Sequence, residues 1–248
     1  MELFNRPLVS FIVPCYNNAK YIKDCLDSIV AQTYRPLEVV VCENGSTDGS
    51  GIIISEFEKI PWFKCQRHGE KLGTARAFNF ALKEVTGEWV AKLDGDDIDK
   101  PDHIDRLMNG LDKSPDADML YGDLEEINAA GKVIVQVSGC RGQDHIFNLC
   151  SIAHATTLIK KSVLNELGGC DEAVEFSEDW ELMIRIVKAG KKCVYVGKTG
   201  HQWRRVYDGK SMSIKFGINS EMRRRNHSYI FRKHGLQGPC GCGCGVMP

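Results

Sequence analysis

Short apolar runs alternate with helical periodicities along the first hundred residues. Val9–Val13 is a run of apolar and β-branched residues closed by Pro14, the pattern of a buried strand. Ile22, Leu26, Ile29 and Val30 recur at helical spacing within Ala19–Gln32. Leu37–Cys42 then predicts a strand, Asp48–Lys59 a helix, Phe63–Gln66 a weaker strand, Thr74–Val85 a helix and Trp89–Leu93 a fourth strand. Repeated βα units of this kind predict an α/β protein with a mostly parallel central sheet and helices on both faces. Ligands of such sheets gather beyond the carboxyl ends of the strands.

After Pro101 the pattern changes. His103–Leu111 predicts a helix, Met119–Asn128 and Lys132–Gln136 a hairpin around Gly131, Ser177–Lys188 a helix and Lys192–Val196 a strand. Ser220–His234 reads as a polar, Arg-rich helix, and Gly235–Pro248 as a Gly/Cys tail without periodicity. There is no internal repeat.

Composition narrows the class. A chain of 248 residues, 43% hydrophobic and 26% charged, is neither disordered nor fibrous. Apolar stretches such as Val9–Cys15 and Leu37–Cys42 fall far short of the roughly 18 residues of a membrane span. Met1–Pro7 has no basic-then-apolar signal pattern. The expectation is a cytoplasmic protein without a transmembrane segment. Cys15, Cys25, Cys42, Cys65, Cys170 and Cys193 lie singly in apolar surroundings, as buried reduced thiols do. Cys240, Cys242 and Cys244 lack the spacing and histidine partners of a closed zinc site.

The net charge of −1 hides an asymmetry. Residues 1–184 hold 18 Lys/Arg against 31 Asp/Glu, whereas the rest holds 14 Lys/Arg against Asp208 and Glu221. The basic C-terminal third points to an anionic partner: a pyrophosphate, a membrane face on which the protein sits peripherally, or nucleic acid. A merely solvated basic helix fits the same pattern.

The strongest chemical signal is Asp94-Gly95-Asp96-Asp97, directly after the buried strand Trp89–Leu93. Carboxylates crowded at a strand end repel one another unless something positive sits among them. A hard divalent cation, Mg²⁺ or Mn²⁺, takes carboxylate oxygens and leaves positions for water and phosphate. The second strand ends in a glycine turn, Glu43-Asn44-Gly45-Ser46-Thr47-Asp48, leading into a helix.

Six segments in order now carry a resemblance. Val9–Asn18, with Pro14-Cys15-Tyr16-Asn17, resembles the opening strand and "P-x-Y-N" turn of family 2 glycosyltransferases. Glu43–Asp48 resembles that family's "DDGSTD", Lys71–Asn79 its "N-x-G-x-A-x-A-x-N", and Leu93–Asp97 its "LDxDD". Gly168–Glu172 is similar to "GGFDE" and Ser177–Leu182 to "EDxEL". The likeness covers about residues 8–215. It implies a GT-A fold, expected here as a Rossmann-like, mostly parallel sheet over residues 1–215. The nucleotide-sugar-binding half would be about 8–114 and the acceptor half about 115–215, followed by the basic helix and tail at 216–248.

The resemblance also implies roles. Pro14, Tyr16 and Asn17 would shape the nucleotide pocket, Tyr16 offering its ring to the base, and Glu43 would accept hydrogen bonds from the base edge. Gly73, Arg76 and Gly95 fall in donor-binding segments, and Arg76 would offset phosphate charge or pair with Asp94 or Asp97. Asp94 would contact ribose or the metal shell, and Asp96 would ligate the metal. Asp179, at a helix start that favours its ionised form, matches the catalytic base. Glu178 and Trp180 would hold the donor sugar or acceptor, although Glu178 could equally cap the helix.

Departures qualify the likeness. Glu43 stands where aspartate is commoner, which loosens the expectation of a UDP-linked donor over other bases. Where relatives place a metal-binding histidine, this chain has Val206 or Tyr207, with His201 nearby. The processive "QxxRW" motif is absent. The expected activity is a metal-dependent, inverting transfer of one sugar from a nucleotide donor to an acceptor hydroxyl on a glycan, lipid-linked sugar or protein. Rival readings are a transferase acting on a modified nucleic-acid base, a nucleotidyltransferase, and a non-catalytic nucleic-acid-binding module.

Overall fold

The computed structural model describes residues 6–137, 145–147, 152–205 and 221–237. The expected Cys240, Cys242 and Cys244 tail and the Val206/Tyr207 position lie outside these residues. The βα pattern folds as the periodicity predicts. β1 (Val9–Cys15), β2 (Leu37–Asn44), β3 (Phe63–His68) and β4 (Trp89–Lys92) form a parallel block in the order β3-β2-β1-β4. Every residue of β1 and β2 is buried, because helices cover both faces. Alternate residues feed two cores. Phe11, Val13, Val39 and Val41 pack with Ile22, Leu26 and Ile29 of α1 (Ile22–Val30), and with Ile54 of α2 (Ser50–Ser55). Ile12, Val40 and Cys42 pack with Phe78 and Ala81 of α3 (Thr74–Glu84) on the other face.

The expectation of a mostly parallel, Rossmann-like sheet is overturned beyond β4. The sheet is a curled, mixed half-barrel. β5 (Ile98–Asp99), α4 (His103–Met108) and α5 (Gly110–Lys113) lead to β6 (Met119–Ile127) and its hairpin partner β7 (Val133–Val137). A 3-10 turn, His154–Thr156, enters β8 (Thr157–Lys160), which lies antiparallel to both β4 and β6. After α6 (Lys161–Leu167) and α7 (Glu178–Lys188), β9 (Cys193–Arg204) pairs parallel with β6 and antiparallel with β5. No strand is predicted from the sequence at β8, four residues long, or at β5, two residues long, yet these fix the direction of half the sheet.

The curl has its own cause. The β6–β9 register shifts around Gly122, where an added Cβ would lie 2.2 Å from the Gly197 carbonyl oxygen. Only glycine admits that approach, and such irregularities bend a strand. Last comes α8 (Glu221–His234), which buries Ile230 and Phe231 in the same core as Trp180 of α7. No helix among the described residues is long and apolar enough to cross a membrane.

Candidate functional site

The loops leaving β1 and β2 are laced together. Asn17 N–H donates to Ser46 Oγ (3.0 Å) and its side-chain oxygen accepts from Thr47 N–H (2.8 Å). Asn18 N–H donates to Ser50 Oγ, and Ala19 N–H to Asp48 Oδ2, both at 2.9 Å. This lacing starts α1 and α2 later than the apolar period alone predicts. Asn17 takes φ 53°, a left-handed conformation that asparagine tolerates. Pro14 lies past the last β1–β4 pair, Ile12 with Lys92, so its missing N–H breaks no bond on that side.

Around this platform stand the residues expected at the donor base. Tyr16 is exposed, with the Lys71 ammonium 4.5 Å from its ring centroid. Glu43 is buried, one oxygen accepting the Ser46 N–H at 2.6 Å. Asn44 Oδ1 takes the Leu72 N–H (2.6 Å), tying the Lys71–Gly73 loop to the end of β2. Gly73 precedes α3 at φ 85°. Arg76 pairs with Glu172 at 3.1 Å rather than with Asp94 or Asp97.

The acidic loop after β4 holds its own cation. Lys92, with a 6% exposed side chain, places Nζ 2.7 Å from both oxygens of Asp94. Burial pushes the ammonium down, but Asp94, Glu178 and Asp179 outweigh it and hold it above the usual lysine range. Sequence reasoning missed Lys92, although a positive group among the carboxylates was required. The strand period was the available signal, because residues 92 and 94 share a face.

Gly95 allows the loop to pass close to β1, since a Cβ there would lie 2.8 Å from Asn18 Nδ2. Burial, with Asp94 beside it, pushes the Asp96 carboxyl up to about 6. Asp97 is fixed from β9, accepting the Arg204 N–H at 2.7 Å, while Arg204 Nε donates to the Asp96 carbonyl at 2.7 Å. His201 is buried between Asp99, 2.8 Å from its Nδ1, and Asp97, 3.6 Å from its Nε2.

From the other half of the sheet, α7 brings Glu178 and Asp179 to the same place. Both interact electrostatically with Lys92 and Asp94. Burial first, then Asp179, pushes Glu178 up to about 7. Burial also raises Asp179, which Lys92 and the Trp180 N–H partly offset. Trp180 is not brought to this cluster. Its indole is buried, donating to the Ile146 carbonyl and packing edge-on to His227 and Phe231. His154 lies near Lys92 and Asp94, its pKa pushed down to about 3 by burial and the ammonium, so it is neutral. No sequence pattern marked it.

The expected metal can be tested on these donors. Among the described residues no group of three His, Cys, Asp or Glu assembles to hold an ion. Asp94 and Asp96 are a two-carboxylate set whose mutual repulsion a cation would relieve, the open arrangement Mg²⁺ or Mn²⁺ uses with phosphate and water. Both Asp94 oxygens are already taken by Lys92, so a cation would have to share them, with Asp96 as the second protein carboxylate.

The fold is that of a GT-A-like protein. The sequence model of Glycosyl transferase family 2 matches residues 10–150, and the chain belongs to that family. An uncharacterised glycosyltransferase of Rickettsia felis is 31% identical over 198 residues, covering 73% of this chain and 32% of the relative. The chain thus spans about a third of that relative's length. S. aureus TarS 1-349 in complex with UDP-GlcNAc superimposes with a TM-score of 0.72 at 20% identity, over 91% of this chain and 66% of that one. The mannosyltransferase PcManGT from Pyrobaculum calidifontis, in complex with GDP-Man and Mn²⁺, gives 0.68 at 23%, over 98% and 68%. At these identities the structural likeness shows the fold alone.

Proposed function

We propose that the chain transfers a single sugar from a nucleotide-sugar donor to an acceptor hydroxyl, inverting the anomeric centre in one displacement. The observation that carries this reading is the convergence of Lys92, Asp94, Glu178 and Asp179 from two halves of the sheet. Asp179 takes the acceptor proton as the hydroxyl attacks. Tyr16 and Glu43 face the base, and Asp94 and Asp96 face the ribose and diphosphate. A divalent cation held by Asp94 and Asp96 would neutralise charge on the departing diphosphate. The nucleotide-sugar complexes of TarS and PcManGT support a sugar-nucleotide donor, UDP- or GDP-linked.

A thermal-shift panel of UDP- and GDP-hexoses, with and without Mn²⁺, tests the donor. A ligand at a hundredfold excess over its Kd stabilises by about 2.7 kcal/mol. Asp96→Asn should lose the Mn²⁺-dependent part of that shift. Asp179→Asn should bind donor normally while transfer falls about 10²–10⁴-fold. Near-normal transfer by Asp179→Asn removes it from the mechanism.

A further inference from the structure

The segment that leads into α7 is gripped along its length by α8. Tyr229 Oη and Lys233 Nζ donate to Asp171 Oδ2 at 2.9 and 2.8 Å. Arg225 Nη2 lies 3.1 Å from Glu175 Oε2, and the Arg223 guanidinium sits 5.4 Å from the Phe176 ring centroid. His227 Nε2 and Ser177 Oγ are 3.1 Å apart. One step further, Lys233 Nζ and His234 Nε2 reach Glu181 Oε1 at 2.6 and 3.0 Å.

Ser177 is the sensitive point in this row. It is a non-glycine residue at φ 69°, immediately before Glu178 and Asp179. A left-handed residue there aims the first turn of α7 and persists only where its surroundings over-determine it. The hydroxyl is held by a buried imidazole whose ring also packs edge-on against Trp180, 4.9 Å between centroids. The same helix thus fixes the residue two positions before the candidate base and the indole after it.

We infer that α8 is the clamp that orients the first turn of α7, and that His227 is a positioning residue for Asp179, acting through Ser177 and Trp180. This rests on the reading of Asp179 as the base. It gives much of the basic C-terminal helix an intramolecular role, since Arg223, Arg225 and Lys233 are engaged with the segment they hold. His227 touches no reacting atom in this scheme. Its loss should lower turnover and leave donor affinity alone, because the donor platform of Tyr16, Asn17 and Glu43 lies on other elements.

The test compares His227→Leu, His227→Gln and Asp179→Asn. One assay measures release of nucleoside diphosphate from UDP- and GDP-hexoses, with water as the acceptor. The other follows amide hydrogen exchange of residues 177–182 against β1 and β2. His227→Leu should lower kcat at least tenfold, keep the donor KM within twofold, and speed exchange at 177–182 but not in β1 or β2. His227→Gln, which keeps an N–H for Ser177, should recover most of both losses. Unchanged exchange at 177–182 in His227→Leu overturns the inference. So does an unchanged kcat in His227→Leu when Asp179→Asn is inactive. If Asp179→Asn turns over normally, the base assignment has failed instead, and exchange alone decides whether α8 is a clamp. Should His227→Leu fail to fold, Ser177→Ala removes only the hydroxyl, and the same outcomes apply.

Discussion

Replacing Lys92 by methionine removes one charge from the site and little volume. In the parent, the ammonium lies 2.7 Å from both Asp94 oxygens and also faces Glu178 and Asp179. Without it, three carboxylates face one another with no counter-charge. Breaking a buried ion pair by deleting one partner costs about 3–5 kcal/mol. Asp94 keeps 37% of its side-chain exposure, which favours the lower end, about 3 kcal/mol. The loss must depend on pH with a definite sign. Glu178 already sits at about 7 in the fold, above its ordinary value, so its ionisation opposes folding as pH rises through that range. Removing Lys92 raises it further. Urea unfolding should therefore show the full loss at pH 8, and a loss smaller by at least about 1 kcal/mol at pH 5.5, where Glu178 is protonated. Equal losses at the two pH values, or no loss at pH 8, would refute the claim that this lysine balances the cluster.

Two further expectations concern the frame. Glu181 is held down to about 2, its burial being outweighed by hydrogen bonds from His234, Arg185 and Lys233. A depressed carboxyl stabilises the fold above its ordinary value of 4.5 and loses that contribution as pH falls toward 2. Glu181→Gln should cost at most about 3 kcal/mol at pH 7, with the gap to the parent narrowing between about pH 5 and pH 3 in acid unfolding; a constant gap contradicts this. Gly122→Ala drives a methyl to 2.2 Å from the Gly197 oxygen and should destabilise by about 1–3 kcal/mol in urea unfolding. A neutral alanine variant would mean that the β6–β9 crossing opens freely.

How far the sequence foretold this structure depends on the length of each element. β1, β2, α1 and α3 span 7 to 11 residues, long enough for a period to appear, and each was legible within a turn or a few residues. β8 has no counterpart among the predicted strands, and β9 runs to Arg204, well past the predicted Val196. Its extension contains Gly197 and Gly200, residues that ordinarily end a strand but here bend one. Asp94, Asp96 and Asp179 stand out in the sequence as carboxylates at a strand end or helix start, and the structure brings Asp94 and Asp179 toward the same lysine. Lys92 carries no chemical signal inside its strand, and the expectation that Trp180 holds donor sugar or acceptor gives way to the core packing it makes.

The charge asymmetry is the most instructive case, because composition registered it correctly and could not say where the charges go. Cations after residue 184 meet carboxylates from before it at short range: Arg185 with Glu181, Lys191 with Glu166, Lys192 with Asp116, Arg225 with Glu175, and Lys233 with Asp171 and Glu181. The exposed pairs among them, such as Lys192 with Asp116 and Arg225 with Glu175, contribute little to stability individually, unlike those to the buried Glu181. Their effect on the field is larger, since each cancels a charge that would otherwise act over a Debye length of about 8 Å. A chain acidic in one part and basic in the other is therefore self-complementary before it meets any partner. Those pairs concentrate on α7 and the segment before it, where the candidate base is carried. The same electrostatics that suggested an external anion thus serves first to join the C-terminal helix to α7 and the segment before it.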